Sequence, residues 1–235
     1  MAVFAFKDFT VRQERSPLKV STDAILLGVS VQLPQTTIKV LDVGTGSGVI
    51  ALLLASRFAK AQFTGIDPDE GAFADAQFNF SRAKFAPQLS ALHCALESLP
   101  NEKKYDVIVS NPPYFLDSLP SQMEAAQTAK HISRQAFFAL FEEMILRCKE
   151  DGQIWLILPA ELALQTQAYF EQRAWGLAHK LQFHANPAKP NKLWVMCLQK
   201  NAQMPSVKEY MIRDADGSYH ADYRKLAGPF HDRPL

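Results

Sequence analysis

At residues 40–48 the chain runs Val40-Leu41-Asp42-Val43-Gly44-Thr45-Gly46-Ser47-Gly48. An apolar run, read as a buried strand over Ile38–Val43, ends in three glycines, and a segment of helical period, Ser47–Ala59, follows with Ser47 supplying its cap region. Glycines at a strand-to-helix junction permit a tight turn and let backbone N–H groups approach a ligand closely. The spacing is G-x-G-x-G. A dinucleotide fingerprint needs its third glycine at position 49, where Val49 stands, so a ligand smaller than a nicotinamide dinucleotide fits better. The next strand, Gln62–Ile66, runs into Asp67, a carboxylate placed to accept hydrogen bonds from both hydroxyls of a ribose. Asp42, just ahead of the glycines, is a candidate to hold a water or a cationic amine.

Outward from this loop, short apolar runs alternate with helical segments, the pattern of βαβ units and a parallel sheet. Asp69–Lys84 reads as a helix opened by Asp67-Pro68-Asp69, and Leu89–Cys94 and Tyr105–Ser110 as strands. Ser133–Lys149 reads as a helix with Phe137, Phe138, Phe141, Ile145 and Leu146 on its inner face. A strand over Gln153–Leu158 and a helix over Glu161–Arg173 come next. Leu177–His184 and Lys192–Gln199 flank a Pro- and Asn-rich insert at 185–191, which reads as a hairpin loop. The expected fold is α/β: a doubly wound, Rossmann-like, mostly parallel sheet of seven strands with an antiparallel edge strand. One domain spans 1–235, with an N-terminal extension at 1–37, a core at 38–200 and a C-terminal tail at 201–235, the flanks being decorations.

The composition bounds the function. With 235 residues, 48% of them apolar and 21% charged, the chain suits a folded globular protein. No apolar run reaches the roughly 20 residues of a membrane span. The stretch Met1–Asp8 has neither a basic segment leading into an apolar one nor a small-residue cleavage site, and Cys94, Cys148 and Cys197 are far apart and odd in number. Reduced thiols and a cytoplasmic location are the expectation. The net charge is only +1, yet residues 1–20 carry Lys7, Arg12, Arg15 and Lys19 against Asp8 and Glu14, and residues 186–235 carry eight Lys/Arg against five Asp/Glu. Basic ends around an acidic middle suit a phosphate-rich partner held at the periphery and a cationic cofactor at the centre.

The strand Tyr105–Ser110 runs into Asn111-Pro112-Pro113-Tyr114. Two successive prolines fix φ and remove two N–H groups, which leaves rigid backbone with carbonyls as acceptors only. The Asn111 side-chain oxygen can accept one hydrogen of a planar amino group and the Pro112 carbonyl the other. Drawing both hydrogens into one plane turns the nitrogen lone pair towards an electrophile. Tyr114 offers a ring on which a base can stack, worth roughly 1–3 kcal/mol. The glycine loop with Asp67 resembles the cofactor site of class I S-adenosylmethionine-dependent methyltransferases. The Asn111–Tyr114 element resembles the Asn/Asp-Pro-Pro-Tyr/Phe motif of methyltransferases acting on exocyclic or amide nitrogens. The resemblance implies S-adenosylmethionine as cofactor, S-adenosyl-L-homocysteine as product, no metal, and Gly44, Gly46, Gly48, Asp42, Asp67 and Asn111 about the cofactor.

The amino-terminal stretch narrows the substrate. Phe6-Lys7-Asp8-Phe9-Thr10-Val11-Arg12-Gln13-Glu14-Arg15, followed by Leu18-Lys19-Val20-Ser21-Thr22-Asp23-Ala24-Ile25-Leu26-Leu27-Gly28, resembles the opening of bacterial tRNA adenine-N6 methyltransferases, which modify adenine 37 of a valine tRNA. The likeness runs from about Phe4 to Pro159 and more faintly to the C-terminus. It implies that Lys19, Thr22 and Asp23 lie near the cofactor, with Thr22-Asp23 capping a helix over Ala24–Val29. Two positions depart from the family. Ala95 stands where an acid is usual beside the cofactor's adenine, leaving that amino group to backbone or Glu97, and Lys130 stands where an arginine is usual. Phe115–Ala129 is read as a lid over the target base.

Candidate phosphate contacts are Arg12, Arg15, Lys130, Lys189, Lys192, Arg213, Arg224 and Lys225. The six histidines show no metal spacing. A tRNA substrate is expected, with no membrane and no obligate protein partner. Protein glutamine N5 and rRNA guanine N2 remain alternative targets of the same chemistry, and a non-catalytic module binding S-adenosylmethionine or RNA is the alternative from another class.

Overall fold

A computed structural model of the chain describes residues 3–33, 38–114, 133–188 and 191–235. A short antiparallel pair, β1 (Val3–Ala5) and β2 (Thr10–Arg12), precedes helix α1 (Thr22–Ser30). Then come β3 (Lys39–Val43), α2 (Val49–Ala55), β4 (Gln62–Asp67), α3 (Glu70–Arg82), β5 (Leu89–His93) and β6 (Tyr105–Ser110). The chain continues with α4 (Arg134–Arg147), β7 (Cys148–Pro159), α5 (Ala160–Glu171), β8 (Trp175–His184), β9 (Asn191–Lys200), β10 (Ser206–Met211) and α6 (Ala221–Ala227).

Among the described residues the main sheet has eight strands in the order β10-β8-β9-β7-β6-β3-β4-β5, parallel except where β9 runs against β7 and β8. The expected seven strands are present. The eighth, β10, comes from the tail read as a decoration and pairs in parallel with β8 at the sheet edge. Its sequence, Ser206-Val207-Lys208-Glu209-Tyr210-Met211, is mostly exposed and carries charges, as edge strands do, so no hydrophobic period announces it. It is held by its backbone ladder, by the Tyr210 ring stacked on Phe183 at 5.3 Å, and by side-chain bonds that include Met211 N–H donated to Asp222 at 3.1 Å.

Central strands read as unbroken apolar runs because both faces are covered. Along β7, Ile154, Leu156 and Leu158 face one core, while Trp155 and Ile157 face the other. Helices α1, α2, α3 and α6 pack on the second of these faces, α4 and α5 on the first. Each fully buried Leu or Phe there contributes roughly 1.5–3 kcal/mol. On α4 the buried apolar side chains are Phe137, Phe141 and Met144, with Arg147 also buried at the helix end, whereas Leu146, expected inside, is 43% exposed. Both chain ends meet on the α1 side: Lys7 N–H donates to the Phe230 carbonyl, and Phe6 pairs with His231. Among the described residues no helix is long and apolar enough to cross a membrane.

Two helix starts differ from expectation. Helix α2 begins at Val49 with Gly48, not Ser47, as its cap residue; Gly48 has φ +85°, and a Cβ there would lie 2.4 Å from the Phe80 ring. Helix α1 is capped by Ser21, whose hydroxyl accepts from Ala24 N–H at 3.3 Å, so Thr22 and Asp23 are first-turn residues and not the cap.

Candidate active site

Strands β3, β4, β5, β6 and β7 are parallel, so Val43, Asp67, His93, Ser110 and Pro159 end on one edge of the sheet. From β3 the chain steps to β4 on one side and later returns to β6 on the other. The crevice between the carboxyl ends of β3 and β6 is therefore the topological switch point, where ligands of doubly wound sheets bind. Ser110 ties the two ends together by donating its hydroxyl to the Val43 carbonyl at 2.8 Å.

The loop after β3 is cinched from below. Gly44 and Gly46 hold φ of +68° and +56°, both in the left-handed region. Thr45 donates its N–H to the Ile66 carbonyl at 2.9 Å and its hydroxyl to Asp42 Oδ2 at 2.7 Å. Gly65 makes room for this: a Cβ there would meet Thr45 Oγ1 at 2.7 Å. Gly46 N–H donates to Asp67 Oδ2 at 2.9 Å, and Asp69 N–H to Asp67 Oδ1 at 3.0 Å. Burial raises the Asp67 pKa, and these two N–H groups oppose the rise.

Asp42 is almost wholly buried. Its Oδ2 also accepts from Ala51 N–H at 3.3 Å, while Oδ1 has no partner among the described residues. Burial pushes its pKa up to about 7, against the bonds from Thr45 and Ala51 and with a small push from the Asp67 charge. A buried carboxylate oxygen without a partner beneath a glycine loop suits a ligand carrying a cationic amine. No Cβ is in the way at Gly44, where nothing lies within 4 Å of the position it would take.

Two hollows meet at Gly44. One, about 80 Å³, is lined by Lys19, Ser21, Ala24, the loop Gly44–Ser47 and Asn111. The other, about 270 Å³, is lined by Ile66, Pro68, Ala95, Leu96, Glu97, Pro113, Ala136 and Leu140. The first is narrow and the more polar of the two, the second broad and apolar with the exposed Glu97 at its rim. Together they suit a ligand with a charged amino-acid end and a flat heterocyclic end, which is the shape of S-adenosylmethionine. Lys19 Nζ donates to the carbonyls of Gln13 at 2.5 Å and Ser16 at 3.2 Å, which fixes the 13–16 turn and leaves one ammonium hydrogen for a ligand anion. Of the residues expected about the cofactor, Thr22, Asp23, Asp42, Gly48 and Asp67 line neither hollow, Asp42 and Asp67 lying buried beneath the glycine loop. Thr22 is exposed, and Asp23 faces Tyr114.

Asn111 opens the segment after β6, half-buried at the narrow hollow, and Pro113 stands at the broad one. Tyr114 is 4% exposed, so its ring does not present an open face to a base in this structure. Its hydroxyl lies 3.3 Å from Asp23 Oδ2 and 3.4 Å from Asn111 Oδ1. Burial first, and Asp23 next, hold the phenol pKa well above its ordinary value.

The basic candidates divide. Arg12 is committed internally: its Nε donates to the buried Asp75 at 3.3 Å and its guanidinium lies 3.6 Å from the centre of the Phe78 ring. Arg213 donates to the Gly217 carbonyl and covers the Tyr219 ring. Arg15, Lys192, Arg224 and Lys225 are exposed. Lys130, Lys189 and the lid at 115–129 lie outside the described residues. Strand register puts Lys192 on the site's edge, because its neighbour Leu193 pairs with Pro159.

Sequence reading missed Asp75 and Asn79. Asp75 accepts from Arg15 N–H and Ser16 N–H, both at 2.8 Å. Asn79 accepts from Arg12 N–H and donates to the carbonyls of Arg12 and Ser47, each at 2.8 Å. The available signal was two polar residues four apart, alongside the apolar Ala72, Ala76 and Phe80 of one helix. Among the described residues no three His, Cys, Asp or Glu side chains gather as a metal site.

Comparison with known proteins agrees with this geometry. A family model described as "Methyltransferase small domain" matches residues 21–196. A curated relative from Pedobacter heparinus, a tRNA1(Val) (adenine(37)-N6)-methyltransferase, is 34% identical over 97% of this chain and 97% of its own. One of the same name from Yersinia pestis is 30% identical over 97% of this chain and 93% of its own. Among solved structures, a predicted O-methyltransferase from Agrobacterium tumefaciens superposes with TM-score 0.69 at 14% identity, covering 88% of this chain and 96% of its own. A Thermus thermophilus 16S rRNA N2 G1207 methyltransferase, solved with AdoMet and guanosine, gives 0.55 at 22% over 82% of this chain and 47% of its own. These two likenesses concern the fold. With glycine loop, acidic strand end and Asn-Pro-Pro-Tyr turn on one sheet edge, and whole-length relatives at this identity, the chain belongs to the methyltransferase small domain family and, within it, to the tRNA1(Val) (adenine(37)-N6)-methyltransferase family.

Proposed function

We propose that the protein methylates the N6 amino group of an adenine in tRNA, adenine 37 of a valine tRNA, with S-adenosylmethionine as methyl donor. The observation that carries this is that Asn111 and Pro113 stand at the two hollows that meet at Gly44. An amino group held at that turn is held beside the place where a donor fits.

When bound, S-adenosylmethionine supplies a methyl group already activated by its sulfonium, so the protein's task is alignment. Asp67 would hold the ribose on the lone pairs left by Gly46 and Asp69. Asp42 would face the cationic amine, directly or through water, and Lys19 the carboxylate. Ile66, Pro68, Leu96 and Leu140 would sandwich the adenine. In place of the missing acid at Ala95, a backbone carbonyl of 94–97 or the Glu97 side chain would accept from the adenine amino group.

For the substrate, Asn111 Oδ1 and the Pro112 carbonyl accept the two hydrogens of the target amine. The nitrogen lone pair then points out of the base plane. The amine sheds a proton only as the new bond forms, so water suffices as its acceptor and no strong base is needed. An anticodon-loop base is single-stranded or readily splayed and enters such a pocket at small cost. The exposed Arg15, Lys192, Arg224 and Lys225 would grip phosphates.

The test is incubation with S-adenosylmethionine and tRNA from a strain lacking the modification, followed by nucleoside mass analysis. N6-methyladenosine at position 37 of valine tRNA is expected. N2-methylguanosine, or methyl transfer to protein glutamine, would replace this reading.

A further inference from the structure

Building on the functional reading above, we propose that Asp23 is a positioning residue for Asn111, acting through the Tyr114 hydroxyl to set which way the Asn111 amide faces. Asp23 stands in the first turn of α1, held there by the Ser21 cap and by buried residues from Ala24 onwards. Tyr114 brings it into the same group of atoms as Asn111: its hydroxyl is 3.3 Å from Asp23 Oδ2 and 3.4 Å from Asn111 Oδ1.

A phenol has one proton. Both neighbours accept, and both distances are long for O–H···O bonds, as when one proton is divided between two acceptors. The carboxylate is the stronger acceptor, so the proton is drawn to Asp23. The Tyr114 oxygen then turns a lone pair towards Asn111, and lone pair against amide oxygen is repulsive. A half-turn of the Asn111 amide exchanges Oδ1 and Nδ2 in place. Nδ2–H then donates to Tyr114, and Oδ1 turns to the other side, towards the hollow Asn111 shares with Gly44 and Lys19.

That orientation matters to the chemistry. An incoming amino group offers hydrogens, and only an oxygen can receive them. An amide turned the other way would set N–H against N–H. No proton leaves Tyr114 in this scheme. The carboxylate fixes the direction of one hydroxyl, and the hydroxyl fixes one amide. In this structure Asp23 thus serves Asn111, while Leu18, Lys19, Ser21 and Ala24 face the narrow hollow from the same stretch of chain.

The experiment combines Asp23→Asn, Asp23→Glu, Tyr114→Phe and the Asp23→Asn/Tyr114→Phe pair in the full chain. Side-chain amide NMR reads the Asn111 NH2 signals, assigned through Asn111→Ala. The expectation is that Asp23→Asn and Tyr114→Phe each move those signals, and that the pair moves them no further than Tyr114→Phe alone. With tRNA and S-adenosylmethionine, kcat in Asp23→Asn should fall roughly 10- to 100-fold at little changed KM and cofactor Kd. Asp23→Glu should recover part of the loss, and on the Tyr114→Phe background Asp23→Asn should cost less than about threefold more. An unmoved Asn111 signal, a kcat equal to that of the parent, or two multiplying losses would each overturn the inference. Moved Asn111 signals in a protein that leaves tRNA unmethylated would uphold the contact and overturn the substrate.

Discussion

Asn79 donates its side-chain amide to the carbonyl of Ser47 at 2.8 Å, and with this bond α3 holds the glycine loop from behind. The same side chain takes Arg12 N–H and gives to the Arg12 carbonyl. One amide thus fastens the N-terminal strap and the glycine loop to a single helix. Asn79→Ala leaves three backbone groups without this partner in a buried place, at a cost of about 2–4 kcal/mol. The expected outcome is a melting temperature lower by roughly 5–12 °C, with cofactor affinity falling as well. Thermal melts with and without S-adenosylmethionine check it, and an unchanged melt would remove Asn79 from this role.

Asp42 ties the same loop to pH. Folded, its carboxyl keeps a proton up to about pH 7, while its ordinary value is 3.8. Between those limits the native state binds more protons than the unfolded one, so stability falls as pH rises through the window. Asp42→Asn retains an oxygen for Thr45 and Ala51 and cannot ionise. It should melt higher than the parent at pH 8 and close to it at pH 4. Cofactor binding runs oppositely, because a cationic amine favours the ionised carboxylate. Affinity of the parent should rise from pH 6 to pH 8, and that of Asp42→Asn should stay flat and weaker. Calorimetry at both pH values decides.

Asn111 and Asp67 should fail in different ways. Asn111→Ala removes the acceptor for the amine and should keep cofactor binding while turnover drops roughly 10²–10³-fold. Asp67→Ala removes the acceptor of Gly46 N–H and Asp69 N–H, and with it the candidate ribose ligand. It should weaken S-adenosylmethionine at least about tenfold by calorimetry. Full turnover in Asn111→Ala would end the role given to that side chain.

Local signals made the placing of the glycine loop, Asp67 and Asn111 on one sheet edge readable from sequence. Glycines 44, 46 and 48 make the turn expected at the strand-to-helix junction, each at positive φ, and Asp67 stands at the end of its strand. What stayed hidden depends on residues far apart in sequence. Nothing near Arg12 reveals that its charge is spent on Asp75, 63 residues on. Strand β10 lies at an exposed edge and gains its place from backbone pairing with β8, which hydrophobic period does not record. Ser47 looked like a helix cap by residue type, but the close approach of Phe80 and a positive φ put Gly48 there. Asp23 followed the same rule, its partner Tyr114 lying 91 residues away.

The division among the basic residues gives the last prediction. A lysine that grips phosphate releases a counterion, so its loss should weaken tRNA binding and make log K less steep in log salt by about 1. Lys192 is exposed, and the pairing of Leu193 with Pro159 sets it at the edge where the parallel strands end. Lys192→Ala should therefore lower the salt slope and leave the melting temperature in place. Arg12 sits under Asp75 and Phe78, so Arg12→Ala removes one of the bonds to a fully buried carboxylate and should act first on stability. The same salt series on both variants, with thermal melts alongside, separates the roles. A lowered slope with an intact melt for Arg12→Ala, or a lowered melt with an unchanged slope for Lys192→Ala, would reverse the assignment.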